Sequence, residues 1–234
     1  MLSNISFTRD NLDNYLKILA KEFKKINGPK TPAEIILVGG ASVVINYGFR
    51  QMTNDIDAII KASSAMKEAI NKVGDSLNLP NGWINTDFVQ TPSYTTKLIE
   101  HSKYYKTFSN ILQIRTVSGE YLIAMKLMAG RKYKNDLSDI VGIVLDQNNI
   151  ISLEKIKLAV ENLYGDYLNL PQDSRDFIEQ LYKNPDLAKL YEMIKKEEKE
   201  NKEFLLEFEE DYPDVLSNGN INDIIALAKS KKNQ

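Results

Sequence analysis

Apolar positions between residues 8 and 26, TRDNLDNYLKILAKEFKKI, fall at Leu12, Tyr15, Leu16, Leu19, Phe23 and Ile26. That is the spacing of one helix face. Thr8 or Asn11 can cap this helix, and Gly28, Pro29 and Pro32 stop it. The period then changes. EIILVGG (34–40) is a short β-rich run between turn residues, which predicts a buried strand. ASVVINYG predicts a short helix and FRQMTN a loop. DIDAII (55–60) alternates before turning apolar, which predicts a second strand beside the first. Residues 62–77 read as a helix, and 79–89 as a turn followed by a strand. Residues 91–110 show no single period. ILQIRTV (111–117) predicts a strand, SGEYLIAMKLMAGR (118–131) an amphipathic helix, and NDLSDIVGIVLDQ (135–147) another helix. From residue 151 the pattern is helical throughout. The charge run over 195–210 reads as a solvated helix face. The expected organisation is an α/β (α+β) part, 1–147, followed by a helical part, 148–234, with the boundary near Asp146–Asn149.

Composition narrows the chemistry. With 43% hydrophobic residues in 234, a sizeable core can form. The net charge of −2 gives no global basic field, so any nucleic-acid contact must be local. The absence of cysteine excludes disulfides, zinc thiolates and cysteine nucleophiles. A single histidine, His101, leaves no material for a His-rich metal site or a His-based triad. The first residues, MLSNISFTRDNLDNYL, contain no apolar signal region, and no apolar run reaches the roughly 20 residues that span a bilayer. These features lead to the expectation of a cytoplasmic protein with no membrane partner. Its chemistry must run on carboxylates, lysine, hydroxyls and backbone.

Asp55 and Asp57 are the first candidates. In a strand, residues i and i+2 share a side, so both carboxylates project together while Ile56 faces the core. Such a pair repels unless a cation or a shared proton offsets the charge. With no His or Cys nearby, oxygen-only coordination suits a hard cation such as Mg²⁺. Gly39 and Gly40 end the preceding strand and open a helix, where bare backbone N–H groups can approach a phosphate. Ser42 adds a hydroxyl in the first turn. Gly-Gly alone is commonly a tight turn, and Asp-x-Asp alone a surface strand end. Together they suit a nucleoside triphosphate (NTP) carrying its Mg²⁺.

The stretch ILVGGASVVINYGFRQMTNDIDAII resembles the polymerase-β-type nucleotidyltransferase superfamily. More narrowly, it resembles minimal nucleotidyltransferases related to the AbiEii toxins of type IV toxin–antitoxin systems. EYLIAMKLMAGRKYKNDLSDI is similar to that group's second segment, in which a lysine is followed about one helix later by an aspartate. The resemblance covers roughly residues 30–145. It implies a nucleotidyltransferase fold, a small mixed sheet flanked by helices with a C-terminal helical region. Gly40 stands where many relatives have serine. The gap 41–54 is long for the broad superfamily but suits this branch.

The resemblance also implies roles. Asp55 and Asp57 would hold Mg²⁺ (or Mn²⁺) on the triphosphate, and Gly39, Gly40 and Ser42 would contact the β and γ phosphates. Lys126 would set its ammonium against phosphate, or else be a snorkelling surface lysine. Asp136 would fix Lys126 or help bind the nucleotide, or simply cap the helix from Leu137; Asp139 is the alternate. Relatives often carry a third carboxylate on a later strand. Asp87, in WINTDFV, is the best-placed candidate here, before Glu120, though the resemblance does not align it and a turn or surface role is the alternative reading. Arg50 would neutralise a triphosphate oxygen or lie in a solvated loop, with Thr53 beside it. The implied activity moves a nucleoside monophosphate from NTP to a hydroxyl of RNA, a tRNA 3′ end or a protein. An antitoxin protein is the implied partner. A nucleotide-binding or interaction module without turnover is the second reading. A dinucleotide-binding reading fails because the third glycine is missing.

Outside this segment, His101 sits among Lys97, Lys103, Tyr104, Tyr105 and Lys106. That mixture suits either single-stranded RNA or an exposed loop with an edge strand. Trp83, Tyr164, Phe177 and Tyr182 read as packing residues.

Overall fold

The computed structural model describes residues 5–147, 150–217 and 219–232. Asn148 and Asn149, at the expected boundary, and residues 1–4 of the amino-terminal segment lie outside them. The strands are β1 (Phe7–Thr8), β2 (Ala33–Leu37), β3 (Met52–Thr53), β4 (Ile56–Lys61), β5 (Ile84–Asn85), β6 (Ser102–Phe108) and β7 (Leu112–Val117). The helices are α1 (Arg9–Asn27), α2 (Gly39–Asn46), α3 (Ala65–Leu77), α4 (Gly119–Ala129), α5 (Asp136–Asp146), α6 (Leu153–Tyr164), α7 (Gln172–Leu181), α8 (Leu187–Asp211) and α9 (Ile221–Lys232).

Five strands form a mixed sheet in the order β5-β4-β2-β7-β6, and β1 pairs with β3 in a separate ribbon. Strand β2 runs antiparallel to β4 and parallel to β7. The carboxyl ends of β2 and β7 therefore share one sheet edge with the amino ends of β4 and β6. That edge brings Gly39 beside Asp57: the Val38 N–H donates to the Asp57 carbonyl at 3.0 Å.

Both faces of β2 are covered, which explains its unbroken apolar run. Ile35 and Leu37 pack with α1 and α3, while Ile36 and Val38 pack with α4 and α5. Helix α1 starts at a reciprocal cap. The Thr8 hydroxyl accepts from the Asn11 N–H at 3.3 Å, and the Thr8 N–H donates to Asn11 Oδ1 at 2.8 Å. Its apolar stripe, Leu12 to Phe23, is fully buried on the sheet. On the other face one apolar cluster runs from Ile36 through α4 and α5 to Ile156, Ile178 and Ile194.

Several boundaries differ from the sequence expectation. Strand β2 ends at Leu37 because Gly39 already opens α2 with φ +53°. Strand β4 starts at Ile56, one residue after Asp55. The loop FRQMTN contains β3, recruited by pairing with the residues before α1. Segment 79–89 keeps only the two-residue β5 before a 3₁₀ turn at Asp87–Gln90. Segment 91–110 holds a 3₁₀ turn at Thr96–Ile99 and the edge strand β6. Helix α4 is not amphipathic: Leu122 to Leu127 are all buried, because α4 sits between the sheet, α5 and α6. The run 195–210 is not wholly a solvated face either. Glu198 and Asn201 are buried where α8 crosses the start of α5.

Candidate active site

Gly39 sits at the turn between β2 and α2 in the left-handed region, which glycine reaches without steric penalty. A Cβ there would lie 3.2 Å from Asp57 Oδ2, so the Asp57 carboxylate packs over the bare face of Gly39. Val38, at the N-cap of α2, offers no side-chain cap. The first N–H groups of α2 therefore end beside this carboxylate without a protein acceptor from the cap side chain. That is the electrostatic setting of an anion site.

Asp57 is half-buried at the start of β4, and Asp55 is exposed in the coil just before it. Burial, then the neighbouring Asp55 charge, pushes the Asp57 carboxyl up to about 6, with Lys134 and Arg131 pulling it down. Asp87 adds to the upward push. It follows β5, whose Asn85 pairs with Asp57 in the sheet. Thr53 donates to Asp55 Oδ1 at 3.3 Å and steadies it. Glu120 lies elsewhere: it accepts from the Ser118 hydroxyl at 3.0 Å and faces Tyr47.

Behind the aspartates lies a chain of buried charges. The Lys126 ammonium, on α4, sits 2.9 Å from Asp136 Oδ1 and 2.8 Å from Asp139 Oδ2. Asp139 also accepts from Arg50 Nη1. Asp136 also accepts from Arg131 Nε at 2.7 Å and Nη2 at 3.2 Å. The sequence is thus Arg50–Asp139–Lys126–Asp136–Arg131. Although burial raises the Asp136 carboxyl, Lys126 and Arg131 hold it down at about 2. Lys126 loses charge stability to burial, but Asp139 and Asp136 more than offset this and raise it. Both groups stay ionised, so Lys126 is a fixed cation and not a base.

Each candidate can now be placed. Asp57 lies over Gly39 at the sheet edge. Asp55, in the coil before β4, is close enough for its charge to act on Asp57 but lines a separate cavity. Ser42 does not join them: it is fully buried, and its hydroxyl accepts from the Val117 N–H at 3.1 Å and donates to the Val117 carbonyl. It joins α2 to β7 and has no face toward a phosphate. Gly40 faces Thr53 and Arg50; a Cβ would come within 2.5 Å of Thr53 Oγ1 and 2.8 Å of Arg50 Nη2. Serine cannot replace it here without moving both. Arg50 is not a solvated loop residue, since it also donates to the Met52 carbonyl at 3.1 Å. Lys126 is no snorkelling lysine; it is 6% exposed. Asp136 is the first residue of α5 and not its cap.

Two groups of residues escaped the sequence reading. Arg131 and Lys134 are the cations that face Asp57. Their sequence signal was the cluster of basic residues in GRKYKND, between the two motif positions. Glu198 on α8 caps α5 from outside: it accepts from the Leu137 N–H at 2.9 Å, the Ser138 N–H at 3.2 Å and the Ser138 hydroxyl. Burial pushes its carboxyl up to about 7 against those hydrogen bonds. Asn201 donates to the Lys132 carbonyl at 2.6 Å, and Asn222 on α9 donates to the Gly130 carbonyl at 3.0 Å. Helices α8 and α9 thereby hold the loop that carries Arg131 and Lys134.

Among the described residues no group of three or more His, Cys, Asp or Glu forms a metal cage. Two carboxylates with oxygen-only donors fit Mg²⁺ or Mn²⁺ that completes its shell with phosphate oxygens and water. A cavity of 610 Å³ lies apart from the aspartates, lined by Tyr47, Tyr104, Glu120 and Tyr121. Close to it, His101 stacks on Tyr121 at 3.9 Å and is not exposed for base stacking.

A five-stranded mixed sheet and a two-stranded ribbon, flanked by helices and followed by C-terminal helices, form a nucleotidyltransferase-like fold. Residues 14–169 match the model of a family described as a nucleotidyltransferase of unknown function (DUF6036), and the chain belongs to that family. No curated protein and no solved structure matches it. Among the described residues no helix is long and apolar enough to cross a membrane.

Two outcomes follow from this geometry. Gly40→Ala is expected to displace Thr53 and Arg50 and to lower unfolding free energy by about 1–3 kcal/mol, read by urea denaturation. Unchanged stability would mean that the loop yields freely. Glu198 binds its proton more tightly folded, near pH 7, than at its ordinary value of 4.5. Its stabilising contribution is therefore full below pH 4.5 and lost as pH rises to about 7. Glu198→Gln, which still accepts from both N–H groups, should flatten the stability–pH curve in that window. Glu198→Ala should destabilise by about 1–2 kcal/mol through loss of the cap. An identical curve for wild type and Glu198→Gln would refute the assignment.

Proposed function

We propose that the chain is a divalent-metal-dependent nucleotidyltransferase that moves a nucleoside monophosphate from NTP to a hydroxyl acceptor. The observation that carries this reading is the Asp57 carboxylate seated over Gly39 at the uncapped start of α2, with Asp55 beside it. The acceptor oxygen attacks the α phosphorus, the bond to the β-phosphate oxygen breaks, and pyrophosphate leaves. Bound Mg²⁺ or Mn²⁺ supplies charge neutralisation on the phosphates and acidifies the acceptor hydroxyl.

The protein's own residues do the rest. Asp55 and Asp57 hold the cation. Gly39 lets a phosphate oxygen approach the N–H groups of α2. Arg131 and Lys134 offset the charge that grows on the leaving pyrophosphate. Lys126, Asp136, Asp139 and Arg50 fix the loops around the pair and act as positioning residues. Asp87, near enough to Asp57 to push it upward, takes the proton of the attacking hydroxyl.

The resemblance of residues 30–145 to the AbiEii-like branch supports RNA, a tRNA 3′ end or a protein hydroxyl as acceptor. It also supports a toxin role with a cognate antitoxin protein, in a cytoplasmic setting. The α/β part, 1–147, would carry the chemistry and the helical part, 148–234, would support it. The alternative is a weakly active nucleotide-binding module. Its support is that, among the described residues, no third acidic side chain joins Asp55 and Asp57 in a metal-holding group.

Incubation with labelled NTPs, Mg²⁺ and total RNA separates the two. Label should pass to an acceptor, and Asp57→Ala should lower that transfer at least about a hundredfold, the range for losing a charge-stabilising group. NTP binding with no transfer to RNA or protein would favour the module. Because the fold raises the Asp57 carboxyl from 3.8 to about 6, its charge opposes folding at pH 7. Asp57→Asn should therefore raise the stability of the metal-free protein by on the order of 1–2 kcal/mol while abolishing transfer. A lower melting temperature for Asp57→Asn would contradict this charge frustration.

A further inference from the structure

Helix α2 joins two places in the fold. At its start Gly39 lies beneath Asp57, and at its end Asn46 and Tyr47 line the 610 Å³ cavity. The helix has eight residues, which separates the two by about 12 Å. Neither aspartate borders the cavity. Its volume falls within the roughly 300–1,000 Å³ of small-molecule sites. Apolar surface stays open around it: Tyr104, Ile150 and Leu158 border it and are all exposed.

Its polar lining lacks partners. Tyr47 is 6% exposed, yet its hydroxyl makes no hydrogen bond to a described residue. Gly119 gives that hydroxyl room, since a Cβ there would run into it. Burial, then Glu120 and Asp146, push the Tyr47 hydroxyl up, so it stays a neutral donor. Glu120 accepts from the Ser118 hydroxyl on Oε1 at 3.0 Å, and its other oxygen accepts from no described residue. Lys103 and Lys155 are exposed on the lining and have no carboxylate within 4.0 Å among the described residues. Two aromatic rings, Tyr104 and Tyr121, share the same lining, and His101 stacked at 3.9 Å steadies the second.

A hydroxyl donor beside a carboxylate acceptor complements one base edge in particular. Guanine sets its O6 acceptor next to the N1–H and N2–H₂ donors, whereas adenine and cytosine each set one amino donor next to a ring-nitrogen acceptor. A carboxylate can accept two parallel N–H groups at once. Tyrosine rings stack on base faces, and lysines bind phosphate. We infer that this cavity is a separate nucleotide site that binds a free guanine nucleotide. Tyr47 donates to O6, Glu120 accepts from N1–H and N2–H₂, and Lys103 and Lys155 hold the 5′ phosphate. Because the carboxylate here reads a base, binding needs no divalent cation. Helix α2 then links the guanine seat at its end to Gly39 at its start, so the site is placed to act on the acidic pair without touching it.

The test measures binding of GMP, AMP and guanosine by calorimetry in EDTA, which leaves no metal for Asp55 and Asp57. Thermal melting confirms that each variant folds. Wild type should bind GMP at least about tenfold more tightly than AMP, the discrimination of one good bidentate base contact. Glu120→Gln should erase that preference, and Tyr47→Phe should weaken GMP severalfold. Lys103→Ala with Lys155→Ala, two exposed positions, should weaken GMP and leave guanosine unchanged. Asp57→Ala should bind GMP as wild type does. No GMP binding, equal affinity for GMP and AMP, a preference that survives Glu120→Gln, or GMP binding lost in Asp57→Ala would each overturn the guanine site. None of these results bears on label transfer from NTP, which tests the nucleotidyltransferase reading by itself.

Discussion

The arrangement depends on the alternating ion chain Arg50–Asp139–Lys126–Asp136–Arg131. Three cations and two carboxylates leave one net positive charge behind the Asp55–Asp57 pair. Lys126, Asp136 and Asp139 are almost wholly removed from water. Desolvating such charges is expensive, and removing one partner of a buried pair typically costs about 3–5 kcal/mol because the other stays uncompensated. The chain persists as a unit or not at all. It ties the loop before β3, through Arg50, to the remote but continuous stretch formed by helix α4, the turn after it and helix α5.

That unit places opposite charges in layers. The outer layer is acidic and open, with Asp55 and Asp87 exposed and Asp57 half-buried. The inner layer is basic and locked. Asp57 sits at their junction, pushed up first by burial and then by Asp55, and pulled down by Lys134 and Arg131. Electrostatic frustration of this kind is characteristic of functional sites, where a ligand cation relieves it. The C-terminal helices complete the frame. Glu198 satisfies the N–H groups at the start of α5, while Asn201 and Asn222 hold the carbonyls of the loop.

Much of this was legible in the sequence, for identifiable reasons. The helical period of α1, the apolar run of β2 and the Gly39–Asp57 stretch are local signals, and the sheet sets Asp57 over Gly39. The i, i+2 strand argument does not extend to Asp55, which precedes β4. The remainder depends on tertiary register. Ser42 lies in the first turn of α2, but its hydroxyl turns to Val117, 75 residues away. Lys126 reads as a phosphate contact or a snorkelling surface lysine, yet Leu122–Leu127 of α4 are all buried. Glu198 lies in a run of charges typical of solvated helices, and only its partner at the start of α5, 60 residues earlier, makes it structural. In β6 a register shift between Tyr104 and Lys106 breaks the alternation that would have marked an edge strand.

The most direct test is a crystal structure grown with Mn²⁺ and a non-hydrolysable NTP analogue, read by the anomalous signal of the metal. The account predicts a manganese peak at about 2.1–2.2 Å from oxygens of both Asp55 and Asp57, with the phosphates beside Gly39 at the start of α2. A peak ligated elsewhere, or a triphosphate bound away from that edge, would contradict it.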